Sequence, residues 1–329
     1  MLIKRGVQGT NFYKDEDIER FRYNPYRIKN RHLAEKAFAE NKHLPFPLHV
    51  IIEISSLCNM KCSFCNREVM SRPQVNMDLE VFRRVVDECA ENGVYSLSLY
   101  CLGEPFLNPD LREMIVYAKG RGIPYVDVST NGLLPMNGIL GTELNELIIS
   151  IDGFEKTYHA LRGGGNWLQV VSNAERLRKE RDRLRLKNPI IRVQCIDMWE
   201  TREEVKPKEG KESTEFIDWA FSIGDVVYIK NIEAFSQNLG DRNLPQSDIV
   251  GRLATRKPCK QMYFCLTVNA DGNIEACCHS PFGYSKLGNI NEMTLKKAWD
   301  SIKEPRERHR QGDYSDFQGM CIQCTDYSW

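Results

Sequence analysis

The chain carries no excess charge of either sign: its 329 residues include 45 Lys plus Arg against 45 Asp plus Glu. A zero balance leaves no electrostatic footprint for nucleic acid or an anionic membrane. Long apolar runs are also missing. The longest, around Leu147–Ile151, has the length of a buried strand and falls far short of the ~20 residues of a membrane span. The start, Met1-Leu2-Ile3-Lys4-Arg5-Gly6-Val7-Gln8, has no apolar stretch of the signal-peptide kind. These absences predict a soluble, cytoplasmic protein. In a reducing compartment its 12 cysteines are expected to ligate metal or to be buried, rather than to build a disulfide framework.

Three of them sit in one loop, Leu57-Cys58-Asn59-Met60-Lys61-Cys62-Ser63-Phe64-Cys65, which reads C-x3-C-x2-C. No fourth cysteine is close by, since Cys89 falls within a helical pattern. Three thiolates can hold three irons of a cubane and leave the fourth open to a small molecule, which is a catalytic arrangement. The alternatives are a zinc site short of one ligand, or three unrelated thiols. Zinc sites ordinarily pair two C-x2-4-C or H-x3-5-H units, and none lies nearby.

From His49 onward the pattern alternates strand and helix. Strands are predicted over His49–Ser55, Tyr95–Cys101, Tyr125–Ser129, Glu146–Ile151, Ile190–Asp197 and Val226–Ile232. Helices are predicted over Asp78–Asn92, Pro109–Gly120, Trp167–Lys187 and Thr214–Ile223. Six βα units are too few for a closed eight-stranded barrel, so the pattern predicts a partial (βα)6 TIM-like barrel of the α/β class. The cysteine loop follows the first strand and so lands at the C-terminal ends of the strands, where sites lie in such sheets. Residues 1–45 read as an irregular polar and aromatic arm (Phe21, Tyr23, Tyr26, Arg27), too short for a separate peptide-binding domain. Arg176–Lys187 reads as a solvated helix face and Glu200–Ser213 as an exposed loop.

The last third adds Cys259, Cys265, Cys277, Cys278, Cys321 and Cys324. Val268–Ile274 reads as a hairpin with a tight Asp271-Gly272 turn, which folds Cys277 back towards Cys259. Cys321 and Cys324 form a C-x2-C pair, and four thiolates complete one [4Fe–4S] cluster. A zinc ribbon is the alternative. Cys265 reads as a buried strand residue. Cys278 follows a ligand and could replace it; either thiol is also a candidate hydrogen-atom donor.

The cysteine loop, with Phe64 just before its last cysteine, resembles the signature of the radical SAM enzymes. That resemblance implies S-adenosylmethionine chelated to the open iron and a 5′-deoxyadenosyl radical on its cleavage. Gly103-Glu104-Pro105 after the second strand resembles the family's turn for the amino group of the methionine moiety. Ser129 and Asn131 after the third strand, and Ser150 and Asp152 after the fourth, resemble segments that meet its ribose and carboxylate. On the fifth strand Arg192 and Gln194 share a face; a substrate or cofactor cavity and a buried structural network are both open. The spacing Cys259-x12-Gly272-x4-Cys277 resembles SPASM and twitch domains, the single-cluster twitch version fitting better. The resemblance implies three segments, an arm at 1–45, the barrel at 46–235 and the auxiliary cluster domain at 236–329. It implies two [4Fe–4S] clusters and an external low-potential reductant such as flavodoxin or ferredoxin. It further implies an oxidoreductase acting on a small-molecule substrate, a carbohydrate or aminocyclitol, by alcohol oxidation or epimerisation. The auxiliary cluster would be the electron acceptor. Modification of a peptide or protein side chain is the alternative.

Overall fold

The computed structural model describes residues 2–6, 9–14, 25–198, 200–208, 211, 213–231, 258–278, 280 and 282–324. In chain order the strands are β1 (Leu2–Gly6), β2 (Gly9–Tyr13), β3 (His49–Ile52), β4 (Lys61–Cys62), β5 (Ser96–Ser98), β6 (Tyr125–Thr130), β7 (Glu146–Ser150), β8 (Arg162–Gly163), β9 (Ile190–Asp197), β10 (Val226–Asn231), β11 (Cys265–Val268), β12 (Asn273–Glu275) and β13 (Lys286–Asn289). All but β4 and β8 join one sheet in the order β1-β2-β10-β9-β7-β6-β5-β3-β11-β12-β13. Its six central strands, β10 to β3, are parallel and are the six expected from the sequence. The fold is an α/β partial barrel.

Alternation along the strands decides what each face meets. Val126, Val128, Leu147, Ile149, Ile191 and Val193 are buried in the core shared with the helices. The helix Leu79–Glu91 offers them Phe82, Val85, Val86 and Cys89, and Leu111–Gly120 offers Leu111, Met114, Ile115 and Ala118. Each such large side chain stabilises the fold by about 1.5–3 kcal/mol relative to exposure. Asp78 begins the first of these helices by accepting from the Glu80 and Val81 amides. On the other strand face stand Ser98, Asp127, Glu146 and Arg192. There Ser98 Oγ donates to both Asp127 oxygens, at 2.9 and 3.0 Å.

Two expectations change. Residues 1–45 are not an irregular arm: β1 and β2 form a hairpin antiparallel to β10, and Pro25–Ala39 is a helix. Lys4, Arg5, Thr10 and Asn11 pair there along the backbone ladder, which a search for apolar periodicity does not register. Phe21 and Tyr23 lie outside the described residues. Within the stretch read as a loop, Arg202–Val205 is helical and Val205 is buried. The glycine at 210 lies outside the described residues, as do Ile232 and the boundary drawn between residues 235 and 236.

The C-terminal segment continues the barrel sheet. β11 runs parallel to β3, and β12 and β13 follow antiparallel. The hairpin turns at Asn269–Gly272, where Gly272 takes φ +82° and donates to Asn269 O at 2.9 Å. Glu53, between the buried Ile52 and Ile54, secures this junction. Its Oε1 accepts from Arg72 Nη2 (2.7 Å) and the Leu102 amide (3.1 Å). Its Oε2 accepts from Arg72 Nη1 and the Ala270 amide (3.2 Å). Both side chains are almost wholly buried, at 0% and 6% exposure. Arg72→Ala would strand that carboxylate without its counter-charge. The expected cost is about 3–5 kcal/mol, read as a lower denaturant midpoint at unchanged slope; a loss under about 1 kcal/mol would mean the pair is solvent-screened.

Candidate cluster and cofactor site

The three N-terminal cysteines lie between β3 and a single turn of 3-10 helix, Asn66–Val69. Cys58, Cys62 and Cys65 feel one another's charge, and burial pushes all three thiols up, Cys62 to about 11. Cys65 Sγ accepts from the Arg67 amide at 3.5 Å, and Asn131 Nδ2 points to Cys58 Sγ at 3.9 Å. The loop is held from behind by β4–β8 pairing, in which Cys62 faces Arg162 and Lys61 faces Gly163. Ser63 N also donates to Leu161 O at 2.9 Å.

The turn after β5 closes over this loop. Glu104 N donates to Leu57 O at 2.7 Å. A Cβ on Gly103 would lie 2.0 Å from Ser55 O, so only glycine lets the two backbones meet. The Glu104 carboxylate is buried and takes donors from Phe106 N (3.0 Å), Thr130 Oγ1 (2.7 Å) and Asn131 N (2.7 Å). Burial raises its pKa, while the bonds from Asn131, Phe106 and Thr130 pull the other way. A carboxylate has about four acceptor positions, and these three donors take all but one of them. Pro105 begins the 3-10 turn that aims this carboxylate inward.

The other expected residues fall as follows. Asn131 Nδ2 also donates to Asn59 Oδ1 at 2.8 Å, joining the third strand's end to the cysteine loop. Ser129 and Ser150 lie at or near the C-terminal ends of β6 and β7, and Gln194 lies in β9 opposite Ser150. Asp152 is fully buried and accepts from Arg162 Nε (2.7 Å) and Ile196 N (2.8 Å). Arg192 is not brought to this loop. It pairs with Glu146, donates to Asn11 in the N-terminal hairpin, and lies 5.7 Å from the Tyr228 ring. Glu146 opens β7 and also takes the Tyr125 hydroxyl, so Arg192 serves the structural network rather than the strand ends where the cysteines stand.

Sequence reasoning missed Arg162 and Tyr158. Arg162 stacks over Phe64, 5.5 Å from its centroid. Burial disfavours its charge, but Asp152 and Cys62 overcome that and raise its pKa. The run Gly163-Gly164-Gly165 was the available signal, because a Cβ at 163 would meet Lys61 O at 2.5 Å. Tyr158, on the helix Glu155–Leu161, is fully buried, and burial pushes its hydroxyl up to about 12.

In the C-terminal segment Cys277 is within electrostatic reach of Cys259 and Cys324, as the hairpin expectation required. Cys324 N donates to Cys321 O at 3.2 Å. Cys265 is the buried first residue of β11. Cys278 Sγ is hydrogen-bonded with the Cys277 thiol and accepts from Gln261 Nε2 at 3.5 Å, and its carbonyl accepts from Cys101 Sγ at 3.4 Å. Among the described residues no three His, Cys, Asp or Glu side chains converge as the ligands of one metal ion would. Cubane thiolates bind separate irons and need no such convergence. No helix among the described residues is long and apolar enough to cross a membrane.

Comparison with known proteins agrees. Residues 52–189 match the radical SAM superfamily, and residues 259–325 match the iron–sulfur cluster-binding domain called SPASM. The antilisterial bacteriocin subtilosin biosynthesis protein AlbA of Bacillus subtilis is 24% identical over 311 residues, 86% of this chain and 68% of AlbA. The PqqA peptide cyclase of Xanthomonas campestris is 30% identical over 91 residues, 27% of this chain and 24% of the cyclase. The solved structure of Streptococcus suis SuiB aligns with a TM-score of 0.54 at 16% identity, covering 86% of this chain and 74% of that one. An open-iron cysteine loop at the first strand's end, and a cysteine hairpin fused to the same sheet, thus have one common explanation: the chain is a radical SAM enzyme with a C-terminal SPASM-type iron–sulfur domain.

Proposed function

We propose that this enzyme is a maturase that modifies a side chain of a peptide or protein. The observation that carries the reading is the match to AlbA, which runs across 86% of the chain and through both domains rather than the barrel alone. The PqqA peptide cyclase and SuiB, which was also solved with its precursor peptide SuiA, point the same way.

The residues fit the cofactors. Cys58, Cys62 and Cys65 would hold three irons of a [4Fe–4S] cluster, and the fully buried, unpartnered Tyr158 hydroxyl is within electrostatic reach of Cys62. The free position on Glu104 would take the ammonium of S-adenosylmethionine. Ser150 and Arg162, the latter aimed by Asp152, would take its carboxylate, with Ser129, Asn131 and Gln194 near the nucleoside. Cys259, Cys277, Cys321 and Cys324 would hold a single auxiliary cluster of the twitch kind. Bound and reduced, the group supplies a primary carbon radical that removes a hydrogen atom from the substrate. The protein's part is to hold the sulfonium in register through buried donors and acceptors and to keep water away. An external low-potential reductant such as flavodoxin or ferredoxin would deliver the electron.

The rival is oxidation or epimerisation of a small carbohydrate or aminocyclitol.

Anaerobically reconstituted enzyme is expected to bind about eight Fe per chain, the content of two cubanes. Cys62→Ser should drop this to about four and abolish 5′-deoxyadenosine formation. Cys324→Ser should lose the other four and still cleave S-adenosylmethionine. Stoichiometric zinc in place of iron would defeat the assignment. The substrate class is decided by deuterium transfer into 5′-deoxyadenosine. Transfer from a deuterated peptide encoded beside the gene, with a matching mass change in that peptide, is expected. Transfer from a deuterated aminocyclitol or sugar, and none from the peptide, would establish the rival.

A further inference from the structure

Tyr158 has a buried hydroxyl with no partner, an arrangement that destabilises the fold unless something supplies one. Its ring is pinned against the cysteine loop. A Cβ built on Gly165 would lie 2.4 Å from Met60 Cε and 2.8 Å from Tyr158 Cε1, so tyrosine and methionine share the space that glycine leaves. Met60 stands between Cys58 and Cys62. Besides Arg162, one helical turn further along the chain, the charged groups that act on the hydroxyl are Cys62, Asp152 and Glu104.

Those potential acceptors are not equally open. Asp152 is engaged by Arg162 and Ile196 N. Glu104 is engaged by Phe106, Thr130 and Asn131. The three cysteines also differ. Cys65 Sγ has the Arg67 amide and Cys58 Sγ has Asn131 Nδ2, while among the described residues no comparable donor reaches Cys62 Sγ. An iron-bound thiolate is a charged acceptor, and a hydrogen bond to such a group is among the stronger ones.

We infer that Tyr158 is a positioning residue that donates its O–H to the sulfur of Cys62 when Cys62 ligates the cluster, completing a set of one donor per cysteine. The bond acts through Cys62 on the cluster. It favours the electron-rich reduced form and so raises the potential, in the same direction as the neighbouring Arg162 charge.

Tyr158→Phe keeps the ring and its packing and removes only the oxygen. In the holoenzyme, the S-adenosylmethionine-responsive cluster should lose about tenfold in electron affinity. For a one-electron couple that is a midpoint about 59 mV more negative, read by EPR-monitored titration. Its g-values should change, while the auxiliary signal, iron content and nucleotide affinity stay as in the parent. A second measurement uses the sign of the stability change. Without iron, losing an unpartnered hydroxyl should leave the melting temperature equal or higher; with the cluster loaded, the same change should lower it. An unchanged midpoint overturns the inference. So does weaker nucleotide binding at unchanged midpoint, which would give the hydroxyl to the cofactor instead. A lower melting temperature of the iron-free variant also overturns it, since the hydroxyl then has a protein partner. Failure of the variant to take up iron also overturns it, since the hydroxyl then serves assembly of the site rather than the tuning of an assembled cluster.

Discussion

A single buried carboxylate ties the molecule's parts together. Glu53 is at the exit of β3, one turn before the cysteine loop, and receives Arg72 from beyond that loop, Leu102 from the second strand's turn and Ala270 from the C-terminal hairpin. Each of those partners borders a segment that carries chemistry: Cys58–Cys65, Gly103-Glu104-Pro105, and the hairpin leading to Cys277. A charge with no exposed surface is tolerable only when its acceptor positions are filled, so the three segments must meet at this point for the fold to form. Domain and barrel are therefore joined twice, by the β3–β11 ladder and by this carboxylate just past its end.

The barrel supplies the second constraint. Apolar residues on one face of each strand bind the sheet to its helices, and this frees the opposite face and the strand ends for polar groups. The division explains why Arg192 and Asp152 differ although both are buried charges near strands. Arg192 meets Glu146 at the beginning of β7 and holds the N-terminal hairpin to the barrel. Asp152 lies just past the end of β7 and holds Arg162 against the cysteine loop. Position along the strand, not burial, separates the structural pair from the one at the site.

Much of this was legible beforehand. The cysteine spacing, the six βα units and the Asp271-Gly272 turn are local signals whose periods and turn chemistry are written in adjacent residues. Glu53 was not singled out beforehand: a lone carboxylate inside the run Val50-Ile51-Ile52-Glu53-Ile54 carries no local sign of the partners it meets. The N-terminal hairpin was not legible, because an edge strand is stabilised by backbone pairing and its side chains carry little pattern. Arg162 and Tyr158 were illegible for another reason. Both are about 100 residues from Cys62 along the chain and reach it through a two-residue strand pair and a glycine run.

The sequence by itself pointed to the class of chemistry, through three thiols spaced within eight residues with no fourth close by and their resemblance to the radical SAM signature. It determined the six parallel strands of the barrel too, through hydrophobic period. Only the tertiary structure decided which donors surround that corner, which carboxylates are already occupied, and that the C-terminal cysteines share a sheet with the barrel. Those outcomes depend on long-range strand pairing and on competition among buried polar groups for a limited number of partners, and neither is encoded in any local stretch of the chain.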